Sequence, residues 1–163
     1  MVLSKSFDAR TLVFVAGRAL AFAWAGAMMA LGAIVAPLVF RNVPSPFAAD
    51  AMTLVFRRMD RVSIAVVILL GICEVVAQPP FSRRVITRQI VLLLLACSVF
   101  AIALYVSPEI ARLHTLGAIR YVGPLGLRLE EFHVAAETLS KASFFLGLGW
   151  AVLFFPQPGD ARR

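Results

Sequence analysis

The chain has 163 residues, 61% of them hydrophobic, and a formal net charge of +7. Soluble domains average about 45–50% apolar residues, so this composition excludes an ordinary water-soluble domain and points to the membrane class. The basic balance does not indicate a nucleic-acid partner. The arginines stand at the ends of apolar runs, where lipid headgroups favour them, with no basic face between aromatic platforms.

The apolar runs predict an all-α fold, an integral membrane four-helix bundle forming one domain over residues 1–163. Its spans are expected over 11–40, 48–77, 86–106 and 128–155, with a short extra helix near 108–120. Lys5 and Arg10 resemble the start of a signal peptide, whose apolar region covers only about 7–15 residues. The uncharged run 19–40 instead reaches the roughly 20 residues that cross a bilayer, so it reads as a retained first span. Ala19, Ala23, Gly26, Ala30 and Ala33 form a stripe of small residues. Because close backbone approach drives helix packing in lipid, the stripe predicts that helix 1 packs centrally through this face. Trp24 and Phe22 then fall off it, towards lipid or an aromatic core. Pro37 is expected in the last turn, with Pro44 and Pro46 completing the stop.

The second run carries Asp50, Arg57, Arg58, Asp60 and Arg61 in its first half and is apolar afterwards except for Ser63 and Glu74. As one helix it measures about 45 Å at 1.5 Å per residue, so its charged half is expected beyond the hydrocarbon core or along its surface. Gln78-Pro79-Pro80 stops it. The third run is unbroken over 90–105, and Ser107-Pro108 is expected to break it. Pro108 and Glu109 then start a short helix that ends around 117–121. Pro37 followed by Arg41 and Pro108 followed by Arg112 make a faint internal echo.

The fourth run takes Glu130, Glu131, His133, Glu137 and Lys141 into the apolar stretch 142–155. Four spans put both termini on one side of the membrane. Arg83, Arg84 and Arg88 in the short link between the second and third spans favour the cytoplasmic side. The expected location is a bacterial inner (plasma) membrane.

Four constellations carry chemistry. His133, Glu137 and Lys141 share one helical face at i, i+4, i+8. Antiparallel packing brings Arg57, Arg58 and Arg61 into the membrane at the same depth, which predicts a charge-matched seam between helices 2 and 4. Arg18 and Glu74 are expected to form a structural ion pair near the opposite boundary. His114 and His133, with Met52 and Met59 on one face of helix 2, are the residues that a haem or copper site would draw on. Glu130-x-x-His133 has the spacing of bundle metal sites, but the second Glu-x-x-His such sites require is missing. A polar path from Glu74 to Glu137 would run only through Ser63, Ser98 and Ser143. Cys73 and Cys97 lie inside apolar runs and form no redox or metal motif. No cofactor is expected, and no serine triad, phosphate loop or zincin motif is present.

Several short motifs resemble the transmembrane-protein-205-like family (domain of unknown function 4149), small four-helix membrane proteins similar to CopD-like copper-resistance domains. They are Trp24-Ala25-Gly26, Ala36-Pro37-Leu38-Val39-Phe40, Ala49 and Phe56, Pro108-x-Ile110-x-Arg112-Leu113, and Phe132-His133. The resemblance implies a four-helix membrane bundle and singles out His133 as the metal candidate. Where that family follows the histidine with glycine and serine, this chain has Val134 and Ala136. The expected role is a non-enzymatic membrane bundle in contact with lipid, an accessory subunit packing against other membrane subunits. The alternative is a small transporter or a metal- or haem-binding membrane protein.

Overall fold

Helix is the conformation that satisfies every backbone polar group within an apolar segment, and each of the four runs adopts it. The computed structural model describes residues 9–44, 47–77 and 82–154. The first rod joins α1 (Ala9–Ala30), a π-helical segment (Leu31–Val35) and α2 (Ala36–Asn42). The second is α3 (Phe47–Ala77). The third joins α4 (Arg83–Ala101), a second π segment (Ile102–Val106) and α5 (Ser107–Thr115), and the fourth is α6 (Gly123–Leu153). No strand occurs among the described residues.

The rods form an antiparallel square. α1 packs on α3 and α6, and α4 packs on the same two. α3 and α6 therefore lie on a diagonal and do not pack directly on each other among the described residues. One end is closed by Phe14 against Phe154, with ring centroids 4.7 Å apart, and by Arg84 Nε donating to the Leu153 carbonyl at 3.1 Å. The other end is closed by Tyr105 against Phe132 at 5.7 Å. Between them Leu70, Leu95, Trp150, Ala151 and Phe154 are fully buried.

Pro37 and Pro108, two of the prolines expected at helix ends, are instead carried within a rod. Each follows a π segment in which the chain widens to i→i+5 bonding. The Ala36 N–H reaches the Leu31 carbonyl, and the Ser107 N–H reaches that of Ile102. The wider turn absorbs the mismatch that a proline ring and its missing N–H would impose on an α-helix. Pro37 and Pro108 then occupy the first turn of the renewed helix, where no N–H is required. The first rod thus continues to Asn42 rather than ending at Phe40, and the third continues through Ser107-Pro108 to Thr115. The short extra helix expected near 108–120 is the end of this third rod.

The small-residue stripe faces outward: Ala19, Ala23, Gly26, Ala30 and Ala33 are all exposed. The buried face of α1 is Gly17, Ala21, Trp24 and Ala25. Trp24 decides this rotation, because its large ring and its N–H gain more from the interior than a row of methyl groups does.

Two rods, Leu12–Asn42 and Arg83–Thr115, are long and apolar enough to cross a membrane. α3 and α6 each begin charged and end apolar. Large apolar side chains such as Val75, Leu93 and Phe145 are exposed on different rods. A water-soluble monomer rarely shows such area, and lipid is the solvent that accepts it.

Gly147 leaves room for Trp24: a Cβ there would lie 2.5 Å from the indole ring, whereas one on Gly149 meets nothing within 4 Å. Gly147→Ala is therefore expected to destabilise the bundle by about 1–3 kcal/mol, as overpacking does. Gly149→Ala should stay within about 0.5 kcal/mol of the parent. Thermal unfolding of the two variants in mild detergent checks the contrast.

Candidate functional site: a cavity between the four rods

The four rods leave a cavity of about 90 Å³ where they converge. Its position follows from the fold. α3 and α6 face each other across a diagonal they do not close, and both π segments, through Gly32 and Ile102, widen the wall. α3 contributes Asp60 and Ser63, α6 contributes Ser140 and Ser143, and α1 contributes Trp24. The Trp24 indole N–H donates to Ser63 Oγ at 2.9 Å. Ser107, the first residue after the second π segment, stands near enough for its hydroxyl to act on the Asp60 carboxylate.

Two polar atoms of this lining are buried without a hydrogen-bond partner among the described residues, Asp60 Oδ2 and Ser143 Oγ. Ser143 is only 1% exposed. Leaving such a group unsatisfied costs about 1–3 kcal/mol, more for a charged one. Asp60 is the sole ionisable side chain of the lining, and the thioethers of Met28 and Met59 complete the wall beside it.

The seam expected between helices 2 and 4 does not form. Arg57, Arg58 and Arg61 are exposed, and α3 and α6 are the diagonal pair, so those arginines do not meet the α6 acids. The acids take nearer partners. Glu137 accepts from Lys141 at 2.6 Å on its own helix, and Glu130 binds Arg120 from the 116–122 connection. That carboxylate pushes the Arg120 guanidinium further up from its already high value, so the arginine side of the pair stays charged. Glu109 pairs with Arg112 at 2.8 Å and with Arg128 at 3.1 Å.

Of the two residues expected to pair near the opposite boundary, Arg18 and Glu74, the acid has a partner in Arg88. Glu74 receives both guanidinium bonds of Arg88, at 2.6 and 2.7 Å, and the two side chains are 7% and 4% exposed. The hairpin between α3 and α4 sets Arg88 opposite Glu74, and the flat arginine fork matches a carboxylate bidentately. Arg88 also lies over the Phe154 ring, 4.7 Å from its centroid.

His133 is half-buried and meets His114 edge-on, with ring centroids 6.1 Å apart. This imidazole pair joins α5 to α6 and takes no part in the cavity lining. Among the described residues, no three His, Cys, Asp or Glu side chains converge as a metal site would require. Met52 is packed in the interior, whereas Met59 faces the cavity, so the two methionines are separated in use. Ser98 donates to the Leu94 carbonyl of its own helix at 2.9 Å and does not extend a polar path.

Asp60 is the site residue that reading by charge overlooks, because it stands among four charged neighbours. Its register is the usable signal. Asp60, Ser63, Val67, Leu70, Glu74 and Ala77 recur at steps of three and four along the inward face of α3.

The sequence profile of a family described as a domain of unknown function (DUF4149) matches residues 19–118. That interval covers the first rod from Ala19 onward and the whole of the second and third, and it includes Trp24, Gly32, Asp60, Ser63 and Ile102 of the cavity. Comparison with curated proteins and with solved structures finds no match.

Charge reversal at position 61 tests the missing seam. Arg61→Glu should leave the unfolding temperature unchanged, and adding Glu137→Arg should bring no compensation. A double-mutant cycle with positive coupling between them would restore the seam.

Proposed function

This chain belongs to the DUF4149 family, and we propose that within that fold it is a non-enzymatic membrane protein that holds a small polar solute at the bundle centre while carrying it across the bilayer. The observation that supports the reading is the cavity itself, with Asp60 Oδ2 and Ser143 Oγ buried in it and left without partners. Ionisable groups inside a membrane bundle are costly and mark solute or proton pathways by default. Transporters place such sites where helices are locally interrupted, and here both interruptions border the cavity. A single carboxylate among hydroxyls binds and releases a solute. Acid–base catalysis would call for a second titratable group held at a different pKa. Arg83 and Arg84 at the α3–α4 hairpin favour a cytoplasmic location for that end, and with it both termini, in a bacterial inner membrane.

A second reading rests on a different surface. The exposed stripe Ala19, Ala23, Gly26, Ala30 and Ala33 is the kind of face that another transmembrane helix approaches closely. It supports an accessory subunit that packs laterally through helix 1. Gly26→Leu with Ala30→Leu should then abolish co-purification of a membrane partner in mild detergent and leave the unfolding temperature unchanged. Retention of the partner by this variant removes the support for a helix 1 interface.

The solute reading makes a stability prediction that requires no knowledge of the solute. Where polar groups are buried for binding, removing them relieves the bundle. Ser143→Ala and Asp60→Asn are each expected to raise stability by about 1 kcal/mol or more, following the cost of an unsatisfied polar group. Thermal unfolding of the purified chain reads this directly. A fall in both variants would make the groups structural and sink the proposal.

A further inference from the structure

Resting on that reading of the cavity, we propose that the solute is a partly hydrated monovalent alkali cation, held by the Asp60 carboxylate, the Ser143 hydroxyl and a backbone carbonyl of the first π segment. Size comes first. The cavity measures about 90 Å³, while pockets for organic ligands run to about 300–1,000 Å³. A probe-based volume of about 10–15 Å³ already holds one water, so the cavity has room for an ion with several waters but not for most organic ligands.

Charge narrows the class further. Asp60 is the one ionisable residue in the lining, so with its carboxylate ionised one positive charge balances it. An anion would add to the buried negative charge, and a divalent cation would leave a net charge where the dielectric is low. Arg57, one turn before Asp60, acts on its carboxylate but is exposed, so it does not take the ion's place in the cavity.

The donor atoms agree. Hard cations take oxygen ligands, and the lining offers the Asp60 carboxylate with the hydroxyls of Ser140 and Ser143. The Ser63 oxygen is already occupied by the Trp24 N–H. Backbone supplies the remainder. Pro37 has no N–H, so a carbonyl on the turn before it, Gly32 or Ala33, lacks its helical donor, and Gly32 borders the cavity. An interrupted helix that frees carbonyls beside a carboxylate is the arrangement with which membrane carriers coordinate alkali ions. Met28 and Met59 are soft donors and would favour a cuprous or silver ion instead, which gives the test its competing arm.

The purified full-length chain, in mild detergent and alkali-free choline buffer at fixed pH and ionic strength, is titrated with LiCl, NaCl or KCl in place of choline chloride. Thermal unfolding and intrinsic tryptophan emission are recorded, the latter because Trp24 lines the cavity. At least one alkali ion should stabilise the bundle saturably, lowering the unfolding equilibrium constant about elevenfold at ten times its dissociation constant. The emission should change over the same concentration range. Asp60→Asn should weaken the apparent affinity at least about tenfold, and Ser143→Ala should weaken it by a smaller factor, as loss of a neutral ligand does.

A wild-type response no larger in any alkali salt than in choline overturns the proposal, whatever the variants do. So does a response that survives Asp60→Asn unchanged, or saturable stabilisation by silver ion alone. If the alkali response is absent while Asp60→Asn and Ser143→Ala still raise the unfolding temperature, only the identity of the solute fails. If both variants lower that temperature, the reading of the cavity as a solute site fails with it.

Discussion

The packing of Trp24 sets the geometry on which the rest of the bundle depends. Its ring sits against Gly147 of α6, and its N–H donates to Ser63 of α3. One side chain thus ties the first rod to both of its neighbours, which do not pack on each other. Once Trp24 points inward, the rotation of α1 follows, and its small residues are carried to the outside. The central gap follows as well. Trp24 and residues of both π segments line the cavity together.

The two π segments extend the same logic along the rods. A proline inside a straight α-helix costs roughly 3 kcal/mol or more through a lost hydrogen bond and a clash. Widening the preceding turn lets the helix continue to the membrane boundary, at the expense of close packing. Leu31, Gly32 and Ile102, from the two widened turns, all border the cavity. The odd-numbered rods therefore share a device that both lengthens them and opens the centre. The echo between Pro37–Arg41 and Pro108–Arg112 is the sequence trace of that device.

Much of the architecture was legible in the chain. The helical segments follow from apolar runs and proline punctuation, and the α3 and α6 boundaries fall within a few residues of expectation. What escaped was pairing and rotation. The arginines of helix 2 and the acids of helix 4 share a depth, which is a one-dimensional property, whereas a seam requires adjacency in the square. Their diagonal placement is decided by which helices Trp24 joins, and no local spacing reports it. For Glu74, depth admitted Arg88 as readily as Arg18, and the succession of α3 and α4 along the chain brings Arg88 onto it. The cavity was legible in part: Ser63 and Ser143 stood out as interior hydroxyls, while Asp60 was hidden by the charge of its neighbours.

The contrast between the two acids of α3 bears most directly on function. Asp60 and Glu74 occupy the same inward register, fourteen residues or about four helical turns apart. Glu74 is satisfied by a bidentate arginine that is itself stacked on Phe154. Breaking a buried pair of that kind typically costs about 3–5 kcal/mol, so it holds the α3–α4 hairpin to the end of α6. Asp60 has an oxygen with no partner and lines one cavity with Ser143, whose hydroxyl also lacks one. One helix thus satisfies one buried acid fully and leaves the other short of ligands in a cavity of its own. Stability alone accounts for Glu74. It does not account for Asp60, whose unpartnered oxygen is the group that the proposed solute would meet.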